Sequence, residues 1–443
     1  MTPPGAAAPE PTADVVAHRD GNVLRWLGAY AASAVGDNVY FLALGWAAQQ
    51  VAQPAQVGMV MAAAAVPRAL LMLGGGVLAD RFGPRLVVIG SDAVRCAVIL
   101  GVAAWLAVAT PGLWLLVTAA LVFGTVDALF MPAIGALPPR ITARSQLARV
   151  QGMRTLVIRI GNTTGPPLSG FVLGAGGVAA AFALAGGLFA VSLALLLTVR
   201  IAPVPRDGAP APEPEGAQEG AAAPTAWHDL TDGLRHVQRH PLLGPLVLSG
   251  ALSEFALNGP LNVGLVLLAV ERGWGASGMA WIVSGFGIGA GLGALAITVL
   301  GRLPRAGLLQ PAALLGASAG IAAVGLMSSL GGAVAVACAS GLVGSVSGGL
   351  SSALVQTTAD PAYLGRITSV TSLSAFGLSP LSYPLFGAAA AAWGTGTVYV
   401  VCGAVGMLGA VITLASPAVR RAELPRARVV DVRRRAGEAD RQC

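Results

Sequence analysis

Two carboxylates, Asp37 and Glu254, stand deep inside long apolar runs of this chain. An ionisable side chain at bilayer depth is costly, so its presence points to a role. Asp37 lies about 13 residues into its run and Glu254 about 12, or roughly 20 and 18 Å at the rise of an α-helix. Glu254, Asn258 and Asn262 recur every four residues, which places one polar stripe on one helix face. Such carboxyls are candidate proton carriers; a structural carboxyl bonded to a neighbouring helix is the alternative role. Asn38, Tyr40 and Phe41 follow Asp37 and are candidate lining for a substrate cavity, with Asn258, Asn262 and Arg68.

A second group of charges is nearer one membrane face. Asp92 and Arg95 are three residues apart and can pair along one helix. Asp127, at similar depth on the next run, can join them. With Arg159 they form a candidate charge relay, structural or conformational, with the Asp80 loop; substrate contact is the alternative role. Arg68 and Arg159 either bind an anionic substrate or pair with a carboxylate, and pairing is favoured because an unpaired charge is costlier there.

Enzyme chemistry is not indicated. The chain has no lysine, since all 27 basic residues are arginine, so a Walker A phosphate loop is impossible. Its four cysteines are scattered singly, with no CxxC or Cys/His cluster, so no metal site, disulfide framework or cofactor is expected.

The elements that must position these residues follow from composition. Of 443 residues 55% are hydrophobic and 11% charged, and the mean hydropathy is +0.74. Soluble domains carry about 25% charged residues, so this chain belongs in lipid. A membrane helix needs roughly 20 apolar residues. Twelve such runs are present, at about 24–48, 55–78, 86–109, 112–136, 151–175, 177–200, 242–270, 275–300, 306–329, 331–355, 366–392 and 395–416. They are continuous and about twice the length of barrel strands, which would also alternate. The fold class expected is an all-α membrane protein of twelve transmembrane helices. The net charge of +7 does not imply nucleic acid, because the arginines are punctuated by apolar runs.

Arginine placement sets the expected orientation. The loops after runs 2, 4, 6, 8 and 10, and both tails, hold nearly all of the arginines outside the runs, while the other loops hold only Arg272. The positive-inside rule then puts both termini in the cytoplasm. Residues 1–22 lack the pattern of a signal peptide.

The expected organisation is a tail (1–22), a six-helix bundle (23–200), a cytoplasmic linker with an interfacial helix (201–240), a second bundle (241–416) and a basic tail (417–443). The linker is rich in Pro, Ala and Glu up to about residue 225. The interfacial helix is read from Trp227, Leu230, Leu234 and Val237 at helical spacing. A shift of 217 residues aligns the bundles without a gap. Asp37 falls on Glu254, Gly76 on Gly293, Arg85 on Arg302, Arg149 on Arg366, and Pro167 and Gly170 on Pro384 and Gly387. Parallel six-helix repeats are the mark of a transporter that rocks around a central site.

Two motifs sharpen this. Between runs 2 and 3 stands Gly76-Val-Leu-Ala-Asp80-Arg81-Phe-Gly83-Pro84-Arg85. It resembles the cytoplasmic loop signature of the major facilitator superfamily. The resemblance implies that Gly76, Asp80, Arg81, Gly83 and Arg85 latch the two halves in the outward-open state. Pro84 stands where the family has a base, and the repeat copy has Ile297 and Thr298 at the Asp80 and Arg81 positions, so a strong latch is expected on the N-terminal side alone.

Run 5 carries Gly161-Asn-Thr-Thr-Gly165-Pro166-Pro167-Leu-Ser169-Gly170. This is similar to the antiporter motif of proton-coupled exporters in that superfamily, where the segment packs on the opposite half and limits leakage. Small residues four apart allow close helix approach, and prolines bend the helix. The Gly36-Asp37-Asn38 segment with Val66-Pro67-Arg68 and Ser91-Asp92-Ala-Val-Arg95 looks like the macrolide-efflux and siderophore-export branch of the drug:proton antiporters.

The resemblance implies a monomeric secondary transporter of the cell inner or plasma membrane. It would export a small amphipathic drug or metabolite by proton antiport and alternating access, with lipid, protons and substrate as its partners. Uptake by proton symport, or a receptor that kept the fold, are the alternatives. The basic tail (Arg420, Arg421, Arg426, Arg428 and Arg433 to Arg435) serves topology, with anionic lipid as its other possible contact.

Overall fold

A computed structural model describes residues 18–110, 112–200, 226–300, 304–360, 363, 367, 370–371 and 377–424. The side chains of 72–80, 144 and 226–231 lie outside the description. The linker up to 225, residues 1–17 and 425–443 of the tails, Arg302 and Arg366 therefore lie outside the described residues, as do the surroundings of Gly76 and the side chain of Asp80 in the latch motif.

The described chain is helical almost throughout, because a backbone in lipid must satisfy its own hydrogen bonds. The first half contains α1 (Gly21–Val51), α2 (Pro54–Phe82), α3 (Pro84–Val108), α4 (Leu113–Gly135), the single turn α5 (Pro138–Ile141) and α6 (Leu147–Thr198). After α7 (Ala226–Arg239), the second half contains α8 (Leu243–Gly259), a π-helical turn (Pro260–Gly264), α9 (Leu265–Glu271), α10 (Gly275–Leu300), α11 (Ala306–Leu326), α12 (Leu330–Thr358), α13 (Ser379–Trp393), α14 (Thr395–Ala415) and the turn α15 (Pro417–Arg420). This is the twelve-helix architecture of two six-helix bundles.

Local chemistry sets the ends. The Asp20 carboxylate accepts from Asn22 N–H at 2.8 Å and starts α1. Gln53 and Gln56 form a reciprocal cap at α2, followed by Pro54 in the first turn. Runs 5 and 6 are joined in α6, a 52-residue helix broken at Gly177, where φ is 71°. A side chain is strained at that φ, so glycine makes the sharp kink between the two spans. Run 7 is also divided. Pro260 has no N–H to give to the ladder, and the turn it opens is π-helical. Tyr399 on α14 donates its hydroxyl to the Pro260 carbonyl at 2.9 Å.

Among the described residues, nine helical stretches are long and apolar enough to cross a bilayer. The difference from twelve has three causes: α6 holds two spans, α1 is more polar, and the part of run 11 before Ser379 is only partly described.

Packing within the first half runs α1 on α6, α3 on α6 and α2 on α4; in the second half α10 lies on α12, and α11 on α12 and α14. The halves meet through α2 on α13 and α6 on α10. The apolar cores show where. One cluster is shared by both halves and includes Leu44, Val57, Met61, Val266, Met279 and Phe386. Toward the Asp20 end the described apolar residues divide into two separate clusters. One is built around Trp26, Phe130 and Leu196 of the first half, the other around Leu246, Leu350 and Val419 of the second. Among the described residues the halves thus share apolar packing at one end and none at the other, the parted end, where α1 begins.

Glycines set the joined end. A Cβ at Gly58 would lie 2.5 Å from the Tyr383 carbonyl oxygen, and one at Gly387 would lie 2.5 Å from that of Pro54. Backbones approach here more closely than any other residue permits.

Candidate functional site

The strongest concentration of chemistry is in the first half, around Arg95 on α3. Its guanidinium is fully buried. Nη1 donates to Asp37 Oδ1 at 3.1 Å and to Asp127 Oδ1 at 3.4 Å. Nη2 donates to the Ser33 hydroxyl at 3.0 Å and to Asp92. Asp92 also accepts from the Ser192 hydroxyl. Arg68 Nε stands 3.1 Å from Asp127 Oδ2. Helices α1, α2, α3, α4 and α6 all contribute.

Aromatic faces complete the box. The Arg95 guanidinium carbon is 3.8 Å from the Phe130 ring centroid and 4.9 Å from that of Phe189. Phe123 lies farther, at 5.8 Å. A cation over a ring face is attracted by the ring quadrupole, more strongly where water is excluded. The rings thus replace part of the hydration that burial removes.

Charge counting matters in such a place. Three carboxylates (Asp37, Asp92, Asp127) meet two guanidiniums (Arg68, Arg95), leaving one negative charge in excess. The Asp92 and Asp127 side chains are 0% and 3% exposed, whereas that of Asp37 is 25% exposed. Asp37 is therefore the acid through which the cluster meets its surroundings.

Several expected associations are present in this geometry. Asp92 and Asp127 join Arg95, and Arg68 pairs with a carboxylate. Arg159 does not join them: it is exposed on α6, and among the described residues no ion pair links it to the group. Its register on the long helix turns it away. Tyr40 also departs from expectation. It is fully buried and stacks on Phe123 with centroids 3.8 Å apart, inside the first half rather than on a cavity wall.

Asn38 is half-buried and donates to Asn162 Oδ1 at 3.1 Å and to the Ala34 carbonyl at 2.8 Å. Phe41, Asn258 and Asn262 are half-buried as well. Glu254 is exposed and accepts from Asn258 Nδ2 at 3.4 Å, while Asn262 Nδ2 donates to the Asn258 carbonyl at 3.1 Å, so the stripe is locally self-bonded.

The glycine-proline segment of α6 serves both halves. Gly161 and Gly165 pack on α1, against Ala34 and Asn38, while Gly170 meets Ala280 of α10 across the halves. Pro166 is buried between them and Pro167 half-buried. At the loop between α2 and α3, Gly83 has φ 84°, Arg81 is exposed, and Arg85 Nη2 reaches the Leu197 carbonyl at 3.3 Å within its own half.

The phenylalanine box and the two serines were not among the expected site residues. A signal existed: Phe123 and Phe130 lie four before and three after Asp127, hence on one helix face with it.

Residues 26–379 match the family model of the Major Facilitator Superfamily. The chain belongs to the major facilitator superfamily. It is 26% identical over 301 residues to the enterobactin exporter EntS of Escherichia coli, a match covering 68% of each protein. The same exporter from Shigella boydii is 25% identical over the same share. Among solved structures, the nucleoside transporter NupG aligns with TM-score 0.65 at 14% identity over 91% of this chain and 100% of that one. A bacterial homolog of the human lysosomal transporter Spinster, inward-facing and unoccupied, gives 0.64 at 14% over 90% and 95%. At such identities these structures speak to the fold. The protein is a multi-pass membrane transporter of the major facilitator type.

Proposed function

We propose that this transporter exports a small amphipathic molecule in exchange for protons by alternating access. The supporting observation is the Arg95 cluster, with one carboxylate beyond what its guanidiniums neutralise and Asp37 as its exposed member. A proton on Asp37 makes the cluster neutral and releases one of the two carboxylates that share Arg95 Nη1. Loss of the proton restores that ion pair. Such a group has two discrete arrangements that a proton selects, which is what coupling requires. Glu254, at the pseudo-equivalent place, is the second candidate carrier.

The arginine-rich loops support placing the Asp20 end in the cytoplasm of a cell with an inner or plasma membrane. On that reading the parted end faces inward, ready to take substrate from the cytoplasm. The likeness to an enterobactin exporter favours export over uptake. The chain acts as a monomer in lipid, and the latch loop with Asp80, Arg81 and Arg85 closes the parted end in the outward-open state.

The test is accumulation of a macrolide or dye in cells expressing the chain, with and without an uncoupler. Asp37→Asn is expected to abolish the uncoupler-sensitive part of export at an unchanged level of protein in the membrane. Full proton-driven export in both Asp37→Asn and Glu254→Gln would overturn the coupling.

A further inference from the structure

The two halves share one plan, and a cavity marks where they part from it. Inside the second half, between α8, α10, α11, α12 and α14, lies a cavity of about 680 Å³. At the 217-residue offset, the residues that fill the first half have small counterparts. Phe123, Phe130 and Phe189 fall on Ser340, Ser347 and Gly406, Asp127 on Gly344, and Ser33 on Gly250. All five counterparts line the cavity. Arg95 itself falls on Ala312. The volume that an arginine and its rings occupy in one half is therefore open in the other.

The walls specify the chemistry of an occupant. Glu254 is the one ionisable side chain among the described lining residues. Gln310, 2% exposed, donates from Nε2 to the Ser347 hydroxyl at 3.3 Å, while its Oε1 finds no partner among the described residues. The fully buried Ser249 hydroxyl finds none either. Buried polar atoms without partners are costly and rare. Here two acceptors, the Glu254 carboxylate, met by Asn258 Nδ2 at 3.4 Å, and the unpartnered Gln310 amide oxygen, line the same space, and no described cation lines it.

We infer that this cavity is a ligand site of the second half, for an organic cation rich in N–H or O–H donors. Its charge meets Glu254 and one of its donors meets Gln310 Oε1; an anion would meet the Glu254 carboxylate and bind more weakly. The assignment rests on the export reading, since it names a class of molecule exported, but its test reads binding alone.

The test uses the purified full chain in detergent, with anisotropy of rhodamine 123, a cation bearing amino groups, against fluorescein, an anion on the same ring system. Rhodamine 123 is expected to bind at least about tenfold tighter than fluorescein, a gap of about 1.4 kcal/mol, and Glu254→Gln to narrow it. A Cβ added at Gly250 meets nothing within 4 Å, and one at Gly344 first meets Ala317 at 3.5 Å. At both positions a Cβ thus meets no backbone atom, so Gly250→Leu and Gly344→Leu add bulk at the cavity wall, and each is expected to weaken rhodamine 123 about tenfold.

Equal affinity for the two dyes, no binding of rhodamine 123, or affinity indifferent to both filling substitutions and to Glu254→Gln would overturn the site. Detergent solution holds no proton gradient, so these results stand apart from the loss or survival of coupled export in Asp37→Asn.

Discussion

Arg95 Nη1 stands 3.1 Å from Asp37 Oδ1, tying a fully buried cation on α3 to a quarter-exposed carboxylate on α1. That contact links the core of the first half to its exposed surface. Without Arg95, Asp92 and Asp127 would remain buried with Arg68 alone. Breaking a buried charge group by removing one partner costs about 3–5 kcal/mol. Arg95→Leu is expected to lower the unfolding midpoint in detergent sharply. Arg95→Lys recovers only part, because one ammonium cannot reproduce the guanidinium's two-pronged reach to Asp37, Asp92 and Asp127. A midpoint equal to wild type in Arg95→Leu would mean that the cluster contributes nothing to folding.

Arg68 and Asp127 offer a pairwise measurement. Their contact spans α2 and α4 at 3.1 Å, with side-chain exposures of 23% and 3%. A double-mutant cycle of Arg68→Gln and Asp127→Asn is expected to give a coupling of about 0.5–3 kcal/mol in unfolding free energy. The single Arg68→Gln change is expected to be the milder of the two, since Asp127 keeps Arg95 while Arg68 is partly open to screening. Strict additivity would show that the pair is geometric proximity without energy.

The joined end makes a different prediction. At Gly58 a new side chain meets the Tyr383 backbone, which cannot swing aside. Gly58→Val is expected to prise α2 from α13. Spin labels at Gln53 and Ala392, both exposed near that contact, should report a longer and broader distance, and export should fall at least about tenfold, as closure is needed in each cycle. An unchanged distance distribution would show that the approach has slack.

Much of this was legible in the residues, for identifiable reasons. Apolar length gives the spans, and one fixed offset gives the repeat. The pairing of Asp92 with Arg95 follows from helical spacing, and the depth of Asp127 places it nearby. What spacing does not give is rotation about a helix axis relative to other helices. Asp37 and Tyr40 are one turn apart on α1, yet Asp37 touches Arg95 and remains partly exposed, while Tyr40 is sealed against Phe123. Arg159 lies outside the charge cluster for the same reason: its position along α6 was readable and its facing was not. The π-helical turn at Pro260 resets that rotation partway along a span, where periodicity alone assumes a straight rod.

His240, between α7 and α8, carries a pH dependence outside the membrane spans. Its Nδ1 accepts from the N–H groups of Leu242 and Leu243, both at 3.2 Å, and so caps the start of α8. Partial burial, and then the neighbouring His236, hold its pKa below the ordinary histidine value. The folded state thus prefers the neutral ring, the form whose Nδ1 can accept. A base with a depressed folded pKa gives its full stabilisation above the unfolded value, near 6.5. That stabilisation is lost as pH falls from there through the lower folded value. Hydrogen exchange in the first turn of α8 is expected to lose protection between about pH 7 and 5, consistent with losing a cap worth about 1 kcal/mol. His240→Asn, whose amide oxygen accepts at any of these pH values, is expected to keep the protection flat. Protection that falls equally in the asparagine variant would assign the pH response to some other group.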